Sequence, residues 1–297
     1  MHKVKTSAIQ PISLVKDIGL LVKFKLSLMV VFSSVATYII FAGNRFDSFV
    51  LFLLSSGGLL ITFASNTLNQ ALERDYDKLM ERTANRPLAS GRMTLSFAIL
   101  LAGIFTVVGS ILLVLISPMC ATLGMISLVL YSFIYTPVKR YSTLAVPVGA
   151  IPGALPTLIA AVAAQQTITL EAMCFFAIQY LWQFPHFWSI AFLGHKDYVR
   201  AGFKLIKDIN GNPDARFGLY SSIYALTGIF FLIPLYNILH ISMPIMVLLV
   251  SSMFLFAYFG INLYKNNNRQ AAKALMFCSI IYLPILFVLF IMNQQWS

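Results

Sequence analysis

Long apolar runs separated by short polar segments make up most of this sequence. A helix needs about 20 mostly apolar residues to cross a hydrocarbon layer of roughly 30 Å. The strands of a membrane barrel would be about half as long and would alternate apolar with polar residues, whereas these runs are continuously apolar. The pattern predicts nine transmembrane helices, centred on residues 26–43, 48–68, 95–116, 119–136, 143–163, 170–193, 217–235, 241–262 and 273–292.

The composition also indicates a membrane protein. Hydrophobic residues make up 59% of the 297 residues and charged residues 10%, whereas roughly a quarter of the residues in soluble domains are charged. We therefore predict an all-α fold, a polytopic membrane helical bundle with nine transmembrane helices. Residues 1–25 are expected to form a cytoplasmic N-terminal arm, and residues 26–297 a single transmembrane domain.

The basic residues predict the orientation in the lipid bilayer. Every Lys and Arg except Arg45 lies before the first run or in every second polar segment after it, and basic segments stay on the cytoplasmic side. We expect a cytoplasmic N-terminus, a cavity that opens at the cytoplasmic side, and a bacterial inner membrane, because the N-terminal segment lacks signal-peptide features. Topology accounts for the net charge of +11, so no nucleic-acid partner is expected.

A polar face follows the second apolar run, in the segment TFASNTLNQALERDYD. At 100° per residue, a continuing helix places Asn69, Glu73 and Asp77 on one side. Polar side chains are costly to expose to lipid, so this face should point into the bundle. The three residues extend over about 12 Å of helix, which suits magnesium that bridges the carboxylates to a larger anionic ligand.

Basic residues follow the acidic ones closely. A diphosphate held by magnesium on one side and by Arg and Lys on the other needs this mixture of charges. The alternative interpretation is that these residues only determine topology. The basic residues in question are Arg74, Lys78, Arg82, Arg86, Lys139, Arg140, Lys196, Arg200, Lys204 and Lys207.

A second constellation lies in YLWQFPHFWSIAFLGHKDY, residues 180–198. If the helix continues through Gly194, His186 and Asp197 lie only about 20° apart around its axis. Trp182 and Pro185 beside His186 favour a kinked pocket with aromatic walls. The alternatives are that this His packs in the core through hydrogen bonds and that the Trp residues belong to an interfacial belt.

Three segments together resemble a known family. They are NQALERDYDKLMERTANRPLASGRM, YTPVKRYSTLAVPVGAIPGALP and LWQFPHFWSIAFLGHKDYVRAG. In this order they resemble the motifs of the UbiA-type intramembrane prenyltransferases, in the branch that farnesylates heme. The resemblance covers roughly residues 15 to 210 and implies the same bundle fold.

The resemblance also implies roles for individual residues. Magnesium would be bound by Asn69, Glu73 and Asp77, with Asp197 contributing from the second motif. The heme would be handled by His186, with Trp182 beside it. The diphosphate would contact Arg82, Arg86, Lys139 and Arg140. The four-residue spacing of the basic residues adds Arg74 and Lys78 to these candidates.

The activity implied by the resemblance is transfer of a farnesyl group from farnesyl diphosphate to a vinyl group of heme b, giving heme O. A downstream partner is then implied, either heme A synthase or the assembly of a terminal oxidase. One alternative is prenylation of 4-hydroxybenzoate or a quinone precursor, against which WQFPHFW argues. Another is a transporter, which would carry its acidic residues near the bilayer midplane rather than at one interface.

Overall fold

The computed structural model describes residues 14–296, with side chains through residue 294. The first thirteen residues of the predicted N-terminal arm lie outside this range. The described chain forms a short 3₁₀ turn at Gly43–Arg45 and a π-helical segment at Leu130–Tyr135. It also forms a hairpin in which two short antiparallel strands pair, β1 (Asp208–Ile209) and β2 (Asn212–Pro213). Its helices are α1 (Leu14–Leu21), α2 (Phe24–Ala42), α3 (Ser48–Asp77), α4 (Leu95–Val114), α5 (Pro118–Val129), α6 (Thr136–Val138), α7 (Ala145–Gln165), α8 (Leu170–Leu193), α9 (His195–Arg200), α10 (Arg216–Ile238), α11 (Met243–Asn266) and α12 (Arg269–Trp296).

The fold is an all-α membrane bundle, as predicted. Within residues 14–296, eight helical segments are long and apolar enough to cross a membrane. Helix α8 has sufficient length but is not among the eight, because Gln179, Gln183, His186 and Ser189 make it more polar. The predicted count of nine transmembrane helices therefore remains a prediction.

The long helices pack against their neighbours in chain order, and α12 closes the ring by packing against α2. Helix α7 contacts both α2 and α8 and has most of its residues buried. The outward faces carry large exposed apolar side chains, for example Ile99, Leu100 and Val107 on α4. Such faces are stable in lipid, where helices satisfy their own backbone hydrogen bonds.

Helix α3 extends beyond the apolar run that predicted it. Its first turn is capped by Asp47, whose carboxylate accepts a hydrogen bond from the backbone N–H of Phe49 at 2.7 Å. At 1.5 Å per residue its 30 residues span about 45 Å, longer than the roughly 30 Å hydrocarbon layer. The end of α3, which carries the acidic motif, therefore continues past the apolar region.

Helix α7 contains two internal prolines, Pro152 and Pro156. Pro156 has no N–H to donate to the carbonyl of Pro152, and the hydroxyl of Ser127 donates to that carbonyl instead at 3.2 Å. A Cβ at Gly149 would lie 2.6 Å from the ring of Tyr135. Gly149 thus allows Tyr135 to approach closely, and the hydroxyl of Ser127 replaces the backbone bond lost at Pro156.

Candidate active site

The polar face predicted for the end of α3 is present and points into the bundle. Asn69, Glu73 and Asp77 each expose no more than 3% of their surface. Gln70 lies beside this face, and its amide donates to the carbonyls of Leu20 and Leu21 at 2.8 Å. The end of α1 is thereby held against α3, one turn from the acidic residues.

Glu73 forms an ion pair with Lys139. The ammonium group of Lys139 also lies 4.7 Å from the ring centre of Tyr135 and 5.4 Å from that of Phe203. Lys139 follows directly after the π-helical segment and α6. Single π-helical turns inside helices occur frequently at functional sites, and this one precedes the basic partner of Glu73.

Asp77 pairs with Arg86 from the segment after α3. Arg86 Nη1 lies 2.8 Å from both carboxylate oxygens of Asp77. The backbone carbonyl of Asp77 accepts a hydrogen bond from the hydroxyl of Thr83 at 2.9 Å. The chain therefore turns back on the end of α3 and brings the arginine of the NRPL motif to the second acid.

A further basic residue, Lys23, was not identified from the sequence. Its Nζ donates to Asn69 Oδ1 at 2.8 Å, and the Asn69 amide donates to Thr136 Oγ1 at 3.0 Å. Burial, together with the charge of Arg86, holds the pKa of the Lys23 amine well below its usual value. The signal in the sequence was a lysine at the start of the first apolar run, which topology alone explains equally well.

Arg82 and Arg140 lie at the border of this cluster. Arg140 Nη2 donates to the carbonyl of Leu72 at 3.0 Å, and its guanidinium carbon lies 4.0 Å from the ring centre of Tyr76. Arg82 Nη2 donates to the hydroxyl of Tyr198 at 3.0 Å. Both arginines are therefore held in place by neighbouring groups near the acidic face.

The structure does not bring Arg74 and Lys78 into the cluster. Their side chains are 40% and 50% exposed, and both pair with the exposed Asp75, at 3.5 Å and 2.8 Å respectively. They line an open pocket of about 480 Å³ beside the segment after α3. The four-residue spacing of the basic residues thus includes Arg74 and Lys78, which lie away from the buried acidic face.

The second acidic motif has a different geometry from the expected one. Helix α8 ends at Leu193, and α9 begins after Gly194, so the argument that His186 and Asp197 share a face of one continuous helix does not apply. A Cβ at Gly194 would lie 2.9 Å from the ring of Tyr198. The carboxylate of Asp197 accepts a hydrogen bond from Arg200 at 3.1 Å.

His186 and Trp182 form a pair on α8. Their rings are stacked, with centres 5.1 Å apart and planes 15° from parallel. Trp182 donates to the backbone carbonyl of Ser279 at 2.8 Å, and His186 Nδ1 lies 2.9 Å from Ser279 Oγ. The Ser279 hydroxyl donates its single proton to the carbonyl of Met276 at 2.6 Å, so the hydrogen bond with His186 requires Nδ1 to be the donor. A neutral His186 then keeps its Nε2 lone pair free.

The donor atoms at the acidic face suit magnesium. Magnesium binds oxygen ligands, usually through one or two carboxylates completed by substrate phosphates, and Asn69, Glu73 and Asp77 supply one amide and two carboxylates on one buried face. Within residues 14–296, no group of three His, Cys, Asp or Glu residues lies close enough to bind a metal. The two buried carboxylates therefore match an ion that shares its coordination with a phosphate ligand.

Comparisons with known proteins identify the family of this chain. The sequence pattern of the UbiA prenyltransferase family matches residues 29–281. A protein named protoheme IX farnesyltransferase, from Christiangramia forsetii, is 38% identical over 288 residues, which is 95% of this chain and 94% of that protein.

Two solved structures have the same fold. A structure described for digeranylgeranylglyceryl phosphate synthase superposes with a TM-score of 0.77 at 16% identity, over 95% of this chain and 99% of that one. A UbiA homolog from Archaeoglobus fulgidus bound to GPP and Mg²⁺ has a TM-score of 0.64 at 12% identity, over 92% and 99%. From its sequence match and its fold, this chain is an enzyme of the UbiA prenyltransferase family.

Proposed function

We propose that this protein transfers a farnesyl group from farnesyl diphosphate to a vinyl group of heme b, giving heme O and diphosphate. The observation that carries the proposal is the buried face of α3, where Glu73 and Asp77 lie beside Lys139 and Arg86. The relative from Christiangramia forsetii, named for this reaction, supports the choice of substrates. The neighbour bound to GPP and Mg²⁺ supports a prenyl diphosphate and magnesium as ligands of a protein with this fold.

The diphosphate would lie between the acidic face and the basic residues. Lys23, Arg86 and Lys139 already contact Asn69, Asp77 and Glu73 respectively. Their ammonium and guanidinium groups can turn from the protein's own oxygen atoms to phosphate oxygens, because charge-assisted bonds to either acceptor are comparable in kind. Arg82 and Arg140 would contact the diphosphate from the border of the site.

Asn69, Glu73 and Asp77 would hold magnesium, with Asp197 as a further ligand once its pair with Arg200 opens. The ion would supply charge neutralisation on the leaving diphosphate. The basic residues stabilise the same developing charge from the other side. As the bond between farnesyl C1 and the diphosphate oxygen breaks, its electron pair leaves with the diphosphate and C1 becomes an allylic cation.

The acceptor then supplies electrons to C1. The terminal vinyl carbon of heme b forms the new carbon–carbon bond, and water adds to the adjacent carbon with loss of a proton, giving a hydroxyethylfarnesyl side chain. The bundle interior must exclude other water, since the allylic cation would otherwise be hydrolysed. Tyr131 and Tyr135, whose ring centres lie 5.3 Å apart near the Glu73–Lys139 pair, provide part of that shield.

The His186 and Trp182 pair would handle the heme. The hydrogen bond from Nδ1 to Ser279 fixes the ring and leaves Nε2 available, which is the arrangement found for histidines that bind a metal. We propose that Nε2 binds the heme iron and that Trp182 packs beside the porphyrin. The heme would then lie on the α8 side of the bundle, with the prenyl diphosphate on the α3 side.

The protein would work in a bacterial inner membrane, with its N-terminus and basic segments in the cytoplasm, since this orientation follows the distribution of Lys and Arg. Farnesyl and porphyrin are both apolar and would enter from the bilayer, whereas the diphosphate would face the polar end. Heme O would pass to heme A synthase or to the assembly of a terminal oxidase.

Offering two acceptors tests the choice of substrate. Purified protein in lipid vesicles is incubated with farnesyl diphosphate, Mg²⁺ and either heme b or 4-hydroxybenzoate, and the products are identified by mass spectrometry. We expect a farnesylated, hydrated porphyrin and no prenylated benzoate. Prenylation of 4-hydroxybenzoate with unmodified heme would contradict the proposal.

A further inference from the structure

Another buried ion pair lies beyond the acidic face, between α1 and the segment after α3. The carboxylate of Asp17 accepts hydrogen bonds from Arg92 Nε at 3.1 Å and from Arg92 Nη2 at 2.9 Å. Asp17 is only 4% exposed, and the side chain of Arg92 11%. Removing water from two charges costs free energy unless their geometry and further hydrogen bonds compensate. Attaching a loop to α1 does not by itself require a buried ion pair.

Arg92 uses its remaining N–H groups on the segment that carries Arg86. Its Nη2 donates to the backbone carbonyl of Asn85 at 2.9 Å, and its Nη1 donates to Ser90 Oγ at 2.7 Å. The Ser90 hydroxyl in turn lies 2.8 Å from the backbone carbonyl of Arg86. Arg92 therefore fixes the backbone on both sides of Arg86.

Apolar contacts hold the same two elements together. Leu21 of α1 is fully buried and packs in one cluster with Leu88 and Met93 from the segment after α3. One turn earlier on α1, Asp17 meets Arg92. Helix α1 thus supports this segment along its length and not at one point only.

We propose that Asp17 and Arg92 are positioning residues that hold Arg86 against the acidic face in the geometry needed to receive the diphosphate. The connection runs from Asp17 through Arg92 and Ser90 to the backbone of Arg86, whose guanidinium reaches Asp77. A displacement of about 1 Å at a substrate-binding group can lower the rate about 100-fold. The inference rests on the proposed function, because it takes Arg86 to bind the diphosphate.

The test measures binding of a non-cleavable farnesyl thiolodiphosphate in the presence of Mg²⁺, so that inactive variants can be compared. Arg92→Lys keeps the charge opposite Asp17 but cannot bond to Asn85 and Ser90 at once. We expect its Kd to rise about 10-fold while the melting temperature changes little. Ser90→Ala should raise the Kd about 5-fold. A wild-type Kd for both variants would overturn the proposal.

Coupling to Arg86 separates positioning from a merely structural role. In an Arg86→Ala background, Ser90→Ala should change the Kd less than 2-fold, because the residue it positions is gone. Equal effects in both backgrounds would be additive and would overturn the proposal, since residues that act through one another are not additive.

Asp214→Asn is the matched control. Asp214 is another buried aspartate, 4% exposed, with Arg216 Nη2 at 2.7 Å, and this guanidinium holds the pKa of the Asp214 carboxyl below its usual value. We expect wild-type binding from this variant, and an effect as large as that of Arg92→Lys would overturn the specific role of Arg92. Asp77→Asn distinguishes failure of the proposed site from failure of the positioning role. Unchanged binding in Asp77→Asn would contradict the proposed site itself. Weakened binding in Asp77→Asn together with wild-type binding in Arg92→Lys would overturn the positioning role alone.

Discussion

Arg86 Nη1 lies 2.8 Å from both carboxylate oxygens of Asp77, on a side chain that is only 1% exposed. The same arrangement recurs one turn earlier, where Lys139 pairs with Glu73. A buried charge is tolerated only when it is paired or binds a metal. Each of the two acids is thus paired in the interior with a cation that is itself suited to bind a diphosphate.

Neutralising either acid should slow turnover strongly. Asp77→Asn and Glu73→Gln keep the size of the side chain but remove a carboxylate that would hold magnesium, and with it the neutralisation of charge on the leaving diphosphate. We expect kcat/KM to fall about 100- to 1,000-fold, the range for loss of one such electrostatic group. Product formation in vesicles measures this effect, and a melting curve verifies the fold.

Asp75→Asn is the control for the acidic motif. Asp75 lies in the same helix but is 66% exposed and pairs with Lys78, so its loss should leave kcat/KM within about 2-fold of wild type, as is usual for surface ion pairs. Equal losses in Asp75→Asn and Asp77→Asn would contradict the assignment of the buried face.

Lys23 should contribute to binding of the prenyl diphosphate. Lys23→Gln removes an amine donor that lies 2.8 Å from Asn69 and would bond to the charged diphosphate, and a hydrogen bond to a charged group is worth about 1.5 to 3 kcal/mol. We expect KM for farnesyl diphosphate to rise at least about 10-fold. Lys25→Gln, at an exposed position two residues later, should have no effect, and a normal KM in Lys23→Gln would remove Lys23 from the site.

His186 should affect the acceptor more than the donor. His186→Ala is expected to impair heme binding and turnover while the affinity for farnesyl diphosphate stays near wild type. Ser279→Ala removes the partner of Nδ1, and loss of such a partner typically costs about 10- to 100-fold in metal affinity or activity. Heme titration followed by absorption spectroscopy measures both effects. Unchanged heme binding in His186→Ala would exclude His186 from the heme site.

The contact of α10 with α11 should depend on a small residue. A Cβ at Gly218 would lie 2.4 Å from the backbone nitrogen of Tyr264 and 2.8 Å from the carbonyl of Gly260. These backbone atoms cannot move aside, so Gly218→Ala should destabilise the fold by about 1 to 3 kcal/mol or more. Gly103→Ala, where nothing lies within 4 Å of the added Cβ, should be neutral in the same thermal unfolding measurement in detergent.

The sequence predicted the buried face of α3 because helical geometry alone places Asn69, Glu73 and Asp77 together. It could not predict Lys23, whose position depends on a turn with φ of +48° between α1 and α2. It also could not pair Asp17 with Arg92, since 75 positions separate them and periodicity relates only residues within one element. Whether the helix breaks at Gly194 was left open, because a single glycine does not always end a helix.

The metal dependence of heme farnesylation tests the central claim most directly. Purified protein in vesicles is given heme b and farnesyl diphosphate after treatment with a chelator, then with Mg²⁺ restored, and the porphyrin is analysed by mass spectrometry. We predict unmodified heme after chelation, heme O when Mg²⁺ is restored to the wild-type protein, and unmodified heme when it is restored to Asp77→Asn. Formation of heme O without a divalent cation, or by Asp77→Asn at the wild-type rate, would contradict the account.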